Sequence, residues 1–120
     1  ANGNQTVSDF TIDGVNKSLK AGVWIESRNN VTMHHVTIKN CKQRGAVFAP
    51  GDKDWYIYPA YYLTGTKIYN CTFIDNGAEI PYDPQSGSSA ETLGNLCIAA
   101  LDGADIYNIT INDVKGYGIK

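Results

Sequence analysis

Apolar and polar residues alternate in the same way in four short segments of the chain. The segments are SDFTID from Ser8, HHVTIK from His34, YNCTFI from Tyr69 and YNITIN from Tyr107. Each contains an apolar residue, a threonine and a second apolar residue. Alternation with a period of two predicts β-strands that send one set of side chains inward and the other outward. One pattern found at four places predicts a repeat architecture.

Equivalent positions in the four segments form rows, a row being the residues that occupy one position in successive repeats. Three rows are apolar and one is threonine: Val7, Met33, Ile68, Ile106; Phe10, Val36, Cys71, Ile109; Ile12, Ile38, Phe73, Ile111; and Thr11, Thr37, Thr72, Thr110. Apolar rows are expected to form the core of a stacked repeat. We predict that these residues are buried: Val36, Ile38, Ile68, Cys71, Phe73, Ile98, Ile106, Ile109 and Ile111.

A longer match without gaps extends the repeat. GVWIESRNNVTMHHVTI, residues 22–38, aligns with NLCIAALDGADIYNITI, residues 95–111. Each repeat therefore holds three short strands, near 22–26, 31–33 and 36–39 in the first of these copies. Strands this short become stable when each pairs with its copy in the next repeat. The pattern predicts an all-β fold, a right-handed parallel β-helix (a solenoid) of about four coils, as a single domain over 1–120.

The pattern from about Thr6 to Ile119 resembles the pectate-lyase-like β-helix superfamily, which includes polysaccharide lyases and many glycoside hydrolases. In such folds a tight turn joins the second and third strands, and it often carries a ladder of asparagine side chains. The matching positions here, called the corner row below, are Asp9, His35, Asn70 and Asn108. His34 belongs to the preceding row, called the aromatic row below, with Ser8, Tyr69 and Tyr107. We therefore expect a structural role for both histidines.

Two insertions lengthen the repeats, because the spacing of the Phe10 row grows from 26 to 35 and 38 residues. The first insertion, 51–65, follows the first strand of its repeat, and the second, 76–94, precedes the next first strand. Both insertions therefore flank the sheet formed by the first strands. Long loops on a rigid scaffold commonly carry function. A binding groove is predicted along this sheet.

Candidate site residues lie on the first strand and in the first insertion. Alternation points Trp24 and Glu26 outward, with Arg28 just beyond, and in the next repeat it points Val47 and Ala49 outward. The predicted catalytic residues are Glu26, Arg28, Asp52 and Asp54. The predicted substrate-binding residues are Trp24, Trp55, Tyr56, Tyr58, Tyr61 and Tyr62. Aromatic faces stack on sugar rings, but the same residues suit a loop that packs its own hydrophobic cluster.

Charge and composition exclude some partners. The formal net charge is -2 without a basic cluster, which argues against nucleic acid. The sequence contains no run of about 18 apolar residues, so no membrane span is predicted. Cys41, Cys71 and Cys97 are far apart, and no clustered set of ligands predicts a metal site. The ends lack a capping element, so we expect further coils of a longer helix, or another chain, to cover them.

The resemblance implies a carbohydrate-active segment that binds a polysaccharide or oligosaccharide and helps to cleave it, as a polysaccharide lyase or a glycoside hydrolase. It also implies a secreted, periplasmic or cell-surface location. The sequence does not identify a cofactor, and calcium is suggested by the resemblance alone. The chain has no Arg-x-Pro-x-x-Arg motif of pectate lyases, and it lacks the residue set of polygalacturonases. The alternative is a noncatalytic carbohydrate-binding or structural β-helix of a surface or tail-spike protein.

Overall fold

Parallel β-strands build the protein. The computed structural model describes residues 3–17, 21–50, 62–77, 94–112 and 117–119, and these residues contain no helix. The strands are β1 Thr6–Lys17, β2 Val23–Glu26, β3 Thr32–Cys41, β4 Arg44–Ala49, β5 Leu63–Thr64, β6 Lys67–Ile74, β7 Gly94–Ile98, β8 Leu101–Asp102, β9 Asp105–Asn112 and β10 Tyr117–Ile119. The all-β prediction is confirmed. The described ranges offer no helical segment that could span a membrane.

Three sheets contain these strands, and neighbours within each sheet are non-consecutive along the chain. The largest two have the orders β1-β3-β6-β9 and β10-β7-β4-β2, and the third pairs β5 with β8. All of these pairs are parallel. Parallel strands need a crossover between them, so the chain visits the two large sheets alternately as it advances. This arrangement is compatible with a β-helix.

The register of the sheets follows the rows read from the sequence. Val7 pairs with Met33, Met33 with Ile68, and Ile68 with Ile106. The threonine row is in register across all four strands as well. In the second sheet Val23 pairs with Ala46 and Ala46 with Leu96, which agrees with the alignment of 22–38 on 95–111. In-register stacking explains why one residue type recurs in each row.

The second and third strands of each repeat form one continuous strand, whereas the sequence predicts two. Strand β3 runs from Thr32 to Cys41, and His35 lies inside it with a φ of 52°. The other members of the corner row have φ values of 63° (Asp9), 51° (Asn70) and 51° (Asn108). Asn and Asp tolerate this left-handed conformation better than most residues, which explains why they fill three of the four places. Each long strand therefore turns at the corner row, where the pairing with the neighbouring strand skips the corner residues and resumes beyond them.

The strands also extend into both predicted insertions. Leu63 and Thr64, at the end of the first insertion, form β5, and Leu63 is 2% exposed. Gly94, at the end of the second, begins β7 and pairs with Arg44. Asn76, at its start, is fully buried. These residues are part of the folded framework, whereas positions 51–61 and 78–93 of the insertions lie outside the described residues.

The core lies between the sheets and consists largely of the apolar rows. Of the nine residues predicted to be buried, five are buried: Val36, Ile38, Ile68, Cys71 and Phe73. The other four are partly buried and pack against the core: Ile98, Ile106, Ile109 and Ile111. Three of these four belong to β9, which lies at the edge of its sheet and pairs on one side only. At the opposite edge Phe10 is likewise 37% exposed.

A buried amide joins the two large sheets. The Asn76 side chain accepts a hydrogen bond from the backbone N–H of Cys41 at 3.0 Å through Oδ1. Its Nδ2 donates to the carbonyl oxygen of Ile38 at 2.9 Å and to Oδ1 of Asn95 at 3.0 Å. Ile38 and Cys41 belong to β3, whereas Asn95 belongs to β7. Asn76 therefore fixes the end of one sheet against the start of the other.

Candidate functional site

The outer face of β2 presents an aromatic ring and a carboxylate. Along Val23–Glu26, half-buried and exposed residues alternate, so the period of two predicted from the sequence is present. Val23 and Ile25 pack against the core, while Trp24 is 42% exposed and Glu26 is exposed. β2 lies at one edge of its sheet. Trp24 and Glu26 are therefore accessible and lie on the same side of the strand.

The neighbouring strand β4 does not continue this accessible face. Trp24 pairs with Val47 and Glu26 pairs with Ala49, the two residues that alternation points outward. Val47 is only 4% exposed and Ala49 is fully buried. Both faces of β4 are therefore covered. Along this sheet the accessible outer surface is at β2, and the predicted groove does not run openly across β4.

Arg28 follows a turn in the backbone. Ser27 has a φ of 57°, so the backbone leaves the β conformation there, although exposed and half-buried residues still alternate through Arg28. The Arg28 side chain is exposed, and its Nη1 donates a hydrogen bond to the carbonyl oxygen of Ser27 at 3.4 Å. Because the strand ends at Glu26 and Ser27 is left-handed, a shared direction for the side chains of Glu26 and Arg28 does not follow from their spacing alone. The catalytic pairing of these two residues stays a prediction.

Tyr62 is the described member of the predicted aromatic loop. It is 59% exposed and immediately precedes β5. That strand is anchored by the backbone N–H of Thr64, which donates to Oδ1 of Asn29 at 3.0 Å. Tyr62 is thus an exposed ring next to an anchored strand. The other predicted residues of this loop lie outside the described residues: Asp52, Asp54, Trp55, Tyr56, Tyr58 and Tyr61.

Three members of the aromatic row, His34, Tyr69 and Tyr107, form a continuous stack of rings on the outside of strands β3, β6 and β9. The rings of His34 and Tyr69 have centroids 5.0 Å apart and planes within 4°, and those of Tyr69 and Tyr107 are 5.0 Å apart within 3°. Tyr107 is 50% exposed. The ring faces contact each other, so the stack presents mainly ring edges and hydroxyl groups to solvent. The sequence contained this signal, since three repeats have an aromatic or imidazole ring at the same position.

His34 and His35 converge with an acidic residue of the preceding repeat. The Nδ1 atoms of the two imidazoles lie 2.7 Å apart. Asp9, on β1, offers a carboxylate oxygen, and one ligand atom from each of the three residues lies within 4.8 Å of the other two. In the described part of the chain this is the single group of three such side chains that could hold a metal ion. Spacing along the sequence did not predict it, because Asp9 belongs to a different repeat.

Three other titratable residues, Cys41, Cys71 and Asp13, have shifted pKa values with structural explanations. Burial raises the pKa of the Cys41 and Cys71 thiols, so both stay protonated at neutral pH, as expected for small core residues. The pKa of Asp13 is lowered by a hydrogen bond from Nδ2 of Asn40 at 3.0 Å, and further by one from the backbone N–H of Val15 at 2.9 Å. Lys39 adds a weaker attraction at 3.9 Å. Asp13 therefore acts, as a carboxylate, at the point in β1 where the register with β3 shifts.

Comparisons with protein-family models, with curated proteins and with solved structures found no match for this chain.

Proposed function

We propose that the chain is a segment of right-handed parallel β-helix of about four coils, similar to the pectate-lyase-like superfamily. The proposal is supported by the parallel pairing of equivalent residues in successive repeats, with Val7, Met33, Ile68 and Ile106 in one line. The left-handed corner row supports it further, since it is where such folds turn between their second and third strands. The exposed Phe10 and the partly buried isoleucines of β9 form the surfaces that further coils, or another chain, would cover.

The function of this segment is to bind a polysaccharide or oligosaccharide. The observation that carries this proposal is the exposure of Trp24, a large aromatic side chain that is 42% accessible on the outside of an otherwise well-packed sheet. An indole ring in this position stacks on the C–H face of a sugar, and Glu26 on the same side accepts hydrogen bonds from hydroxyl groups. Tyr62 adds a second exposed ring. Such ligands fit a secreted, periplasmic or cell-surface location.

Cleavage of the bound chain is the second part of the proposal. A lyase removes a proton beside a uronate carboxylate, for which Arg28 is the candidate base, whereas a hydrolase needs two carboxyl groups across the glycosidic bond. Glu26 is one candidate carboxylate, and Asp52 and Asp54 are the others. If the cleavage requires calcium, these carboxylates are its candidate ligands, by resemblance alone.

A noncatalytic role is favoured by one observation. The partner of Glu26 on the adjacent strand is Ala49, so strand pairing brings no second carboxylate next to Glu26. Binding without cleavage needs only the aromatic surface and hydrogen-bonding groups. The assignment of a hydrolase activity therefore depends on Asp52 and Asp54.

Affinity electrophoresis against a panel of acidic and neutral polysaccharides tests the binding proposal, and product analysis of the retained substrates tests cleavage. Products that absorb in the ultraviolet through a new double bond identify a lyase, new reducing ends alone identify a hydrolase, and retardation without products identifies a binding segment. Trp55→Ala and Tyr58→Ala are expected to weaken retardation if the loop binds sugar. Absence of retardation by every polysaccharide in the panel contradicts the proposal.

A further inference from the structure

Two adjacent histidines on a regular strand point to opposite faces, yet His34 and His35 place their Nδ1 atoms 2.7 Å apart. The reason is the left-handed backbone of His35, with a φ of 52°, which redirects its side chain towards that of His34. Asp9 occupies the same corner row one repeat earlier and has the same backbone conformation, with a φ of 63°. The fold therefore gathers two imidazoles and a carboxylate from two neighbouring strands.

These three donors suit a divalent transition-metal ion. Imidazole nitrogen and carboxylate oxygen are ordinary ligands of Zn²⁺, at about 2.0–2.2 Å, which puts neighbouring ligand atoms of a tetrahedral site roughly 3.4 Å apart. The ligand atoms of Asp9, His34 and His35 all lie within 4.8 Å of one another, and the two Nδ1 atoms are 2.7 Å apart, so the observed spacings lie on both sides of that value and the side chains adjust when an ion binds. Asp9 and His35 are exposed and His34 is half-buried, which leaves an open path for an ion from solvent.

The surroundings hold the imidazoles in place. The Tyr69 ring stacks on the face of His34 within 4° of parallel, which fixes the ring plane and leaves its edge nitrogens available. Nε2 of His35 lies 3.4 Å from the side-chain amide of Asn70. When Nδ1 binds a metal, Nε2 carries the proton, and the amide oxygen of Asn70 can accept it after rotation of the amide. Such outer contacts orient metal-binding histidines in general.

The repeat itself indicates that the fold does not require these side chains. The other described members of the aromatic row are Ser8, Tyr69 and Tyr107, and the other members of the corner row include Asn70 and Asn108. Tyrosine continues the ring stack, and asparagine suits the left-handed corner. Imidazoles in both rows, next to a carboxylate, therefore supply a metal-binding capacity that stacking and turning do not explain.

We propose that Asp9, His34 and His35 form a binding site for Zn²⁺, with water or an exogenous ligand in the remaining coordination position. The site is independent of the proposed carbohydrate surface, which lies on the other large sheet. It adds a metal centre that sequence spacing did not predict.

Isothermal titration of the untagged protein with ZnCl₂ tests the site. One ion per chain is expected, with a Kd on the order of 10 µM. Three variants each remove one ligand: His34→Tyr, His35→Asn and Asp9→Asn. Each new residue already occupies the same row in another repeat, so the ring stack or the corner is kept. Each is expected to weaken Zn²⁺ binding at least about tenfold. The control Cys97→Ser, which removes the least buried thiol, is expected to bind as the wild type does.

A spectroscopic measurement on the wild type makes the test independent of how the variants fold. The chain contains two histidines, so ¹⁵N-histidine labelling gives signals from His34 and His35 alone. Zn²⁺ is expected to shift an imidazole nitrogen resonance of both, whereas Mg²⁺ leaves them unchanged. The proposal is overturned if Zn²⁺ shifts neither histidine signal, or if both histidine variants bind Zn²⁺ within twofold of the wild type. It is also overturned if Asp9→Asn binds Zn²⁺ within twofold of the wild type, because the carboxylate would then not be a ligand.

Discussion

Nδ2 of Asn76 donates a hydrogen bond to Oδ1 of Asn95 at 3.0 Å, and both side chains are completely buried. The bond connects the end of one large sheet with β7 of the other. Because Asn76 also bonds the N–H of Cys41 and the carbonyl of Ile38, one side chain makes three buried hydrogen bonds. This amide is a specific stabilising contact between the sheets.

Replacement of Asn76 is therefore expected to destabilise the protein. Asn76→Ala removes all three bonds and leaves buried polar groups with fewer partners, a loss of about 3 kcal/mol in the free energy of unfolding. Asn112→Ala is the control, since Asn112 is exposed on β9 and the backbone oxygen that it offers to Asp75 is unchanged. Urea denaturation measures both. Equal midpoints for Asn76→Ala and Asn112→Ala would show that the amide network contributes nothing.

Gly45 permits the close approach of β4 and β7. A Cβ atom at this position would clash with the carbonyl oxygen of Asn95 and would lie 2.9 Å from Cδ1 of Phe73. Gly45→Ala is expected to lower the free energy of unfolding by about 3 kcal/mol, because backbone and core must both move. Gly103→Ala is the matched control. A Cβ there meets nothing within 4 Å, so only its φ of 73° is unfavourable, by about 1 kcal/mol.

Thermal melts of the two glycine variants give the comparison directly. The larger loss must belong to Gly45→Ala. If Gly103→Ala were the less stable of the two, close packing between β4 and β7 would not be the reason for the glycine.

Asp13 is expected to make stability depend on acid pH. Its pKa is held below the ordinary value of 3.8 in the folded protein, first by the hydrogen bond from Asn40. A carboxylate with a lowered pKa stabilises the fold above the ordinary pKa, and this contribution disappears as the pH falls through the folded-state pKa. Wild-type protein should therefore melt higher than Asp13→Asn at pH 7, and the difference should shrink as the pH falls below 3.8.

The control for this effect is Asp102→Asn, at an exposed position on β8. Melting temperatures of the three proteins from pH 7 to about pH 2 give the comparison. A constant gap between wild type and Asp13→Asn over that range would contradict the assigned role of the carboxylate.

The apolar rows could be predicted from the sequence because parallel in-register stacking requires the same kind of side chain at each copy of a position. Met33 and Ile68 are examples, being paired and both fully buried. The turns within the strands were predictable in place, since the corner row is rich in Asn and Asp. The continuity of the strands on either side of each corner was not predictable, because it depends on hydrogen bonding around a single left-handed residue.

The candidate sites were only partly predictable. The exposure of Trp24 followed from alternation along β2, but the burial of Val47 and Ala49 on the same side of β4 did not. Asn76 is followed by a glycine, and the Asn-Gly pair is typical of an exposed turn. The buried hydrogen bonds of the Asn76 side chain could therefore not be inferred from the sequence. The meeting of Asp9 with His34 depends on the stacking of separate repeats and on the direction of side chains at the corner.

Calorimetric titration with the most strongly retained saccharide tests whether the surface around Trp24 binds carbohydrate. Trp24→Ala should weaken binding about tenfold through loss of ring stacking. Tyr107→Ser, which removes an exposed ring from the other large sheet and introduces the residue found at Ser8, should bind as the wild type does. Equal affinities for wild type and Trp24→Ala would show that the surface around Trp24 does not bind the saccharide.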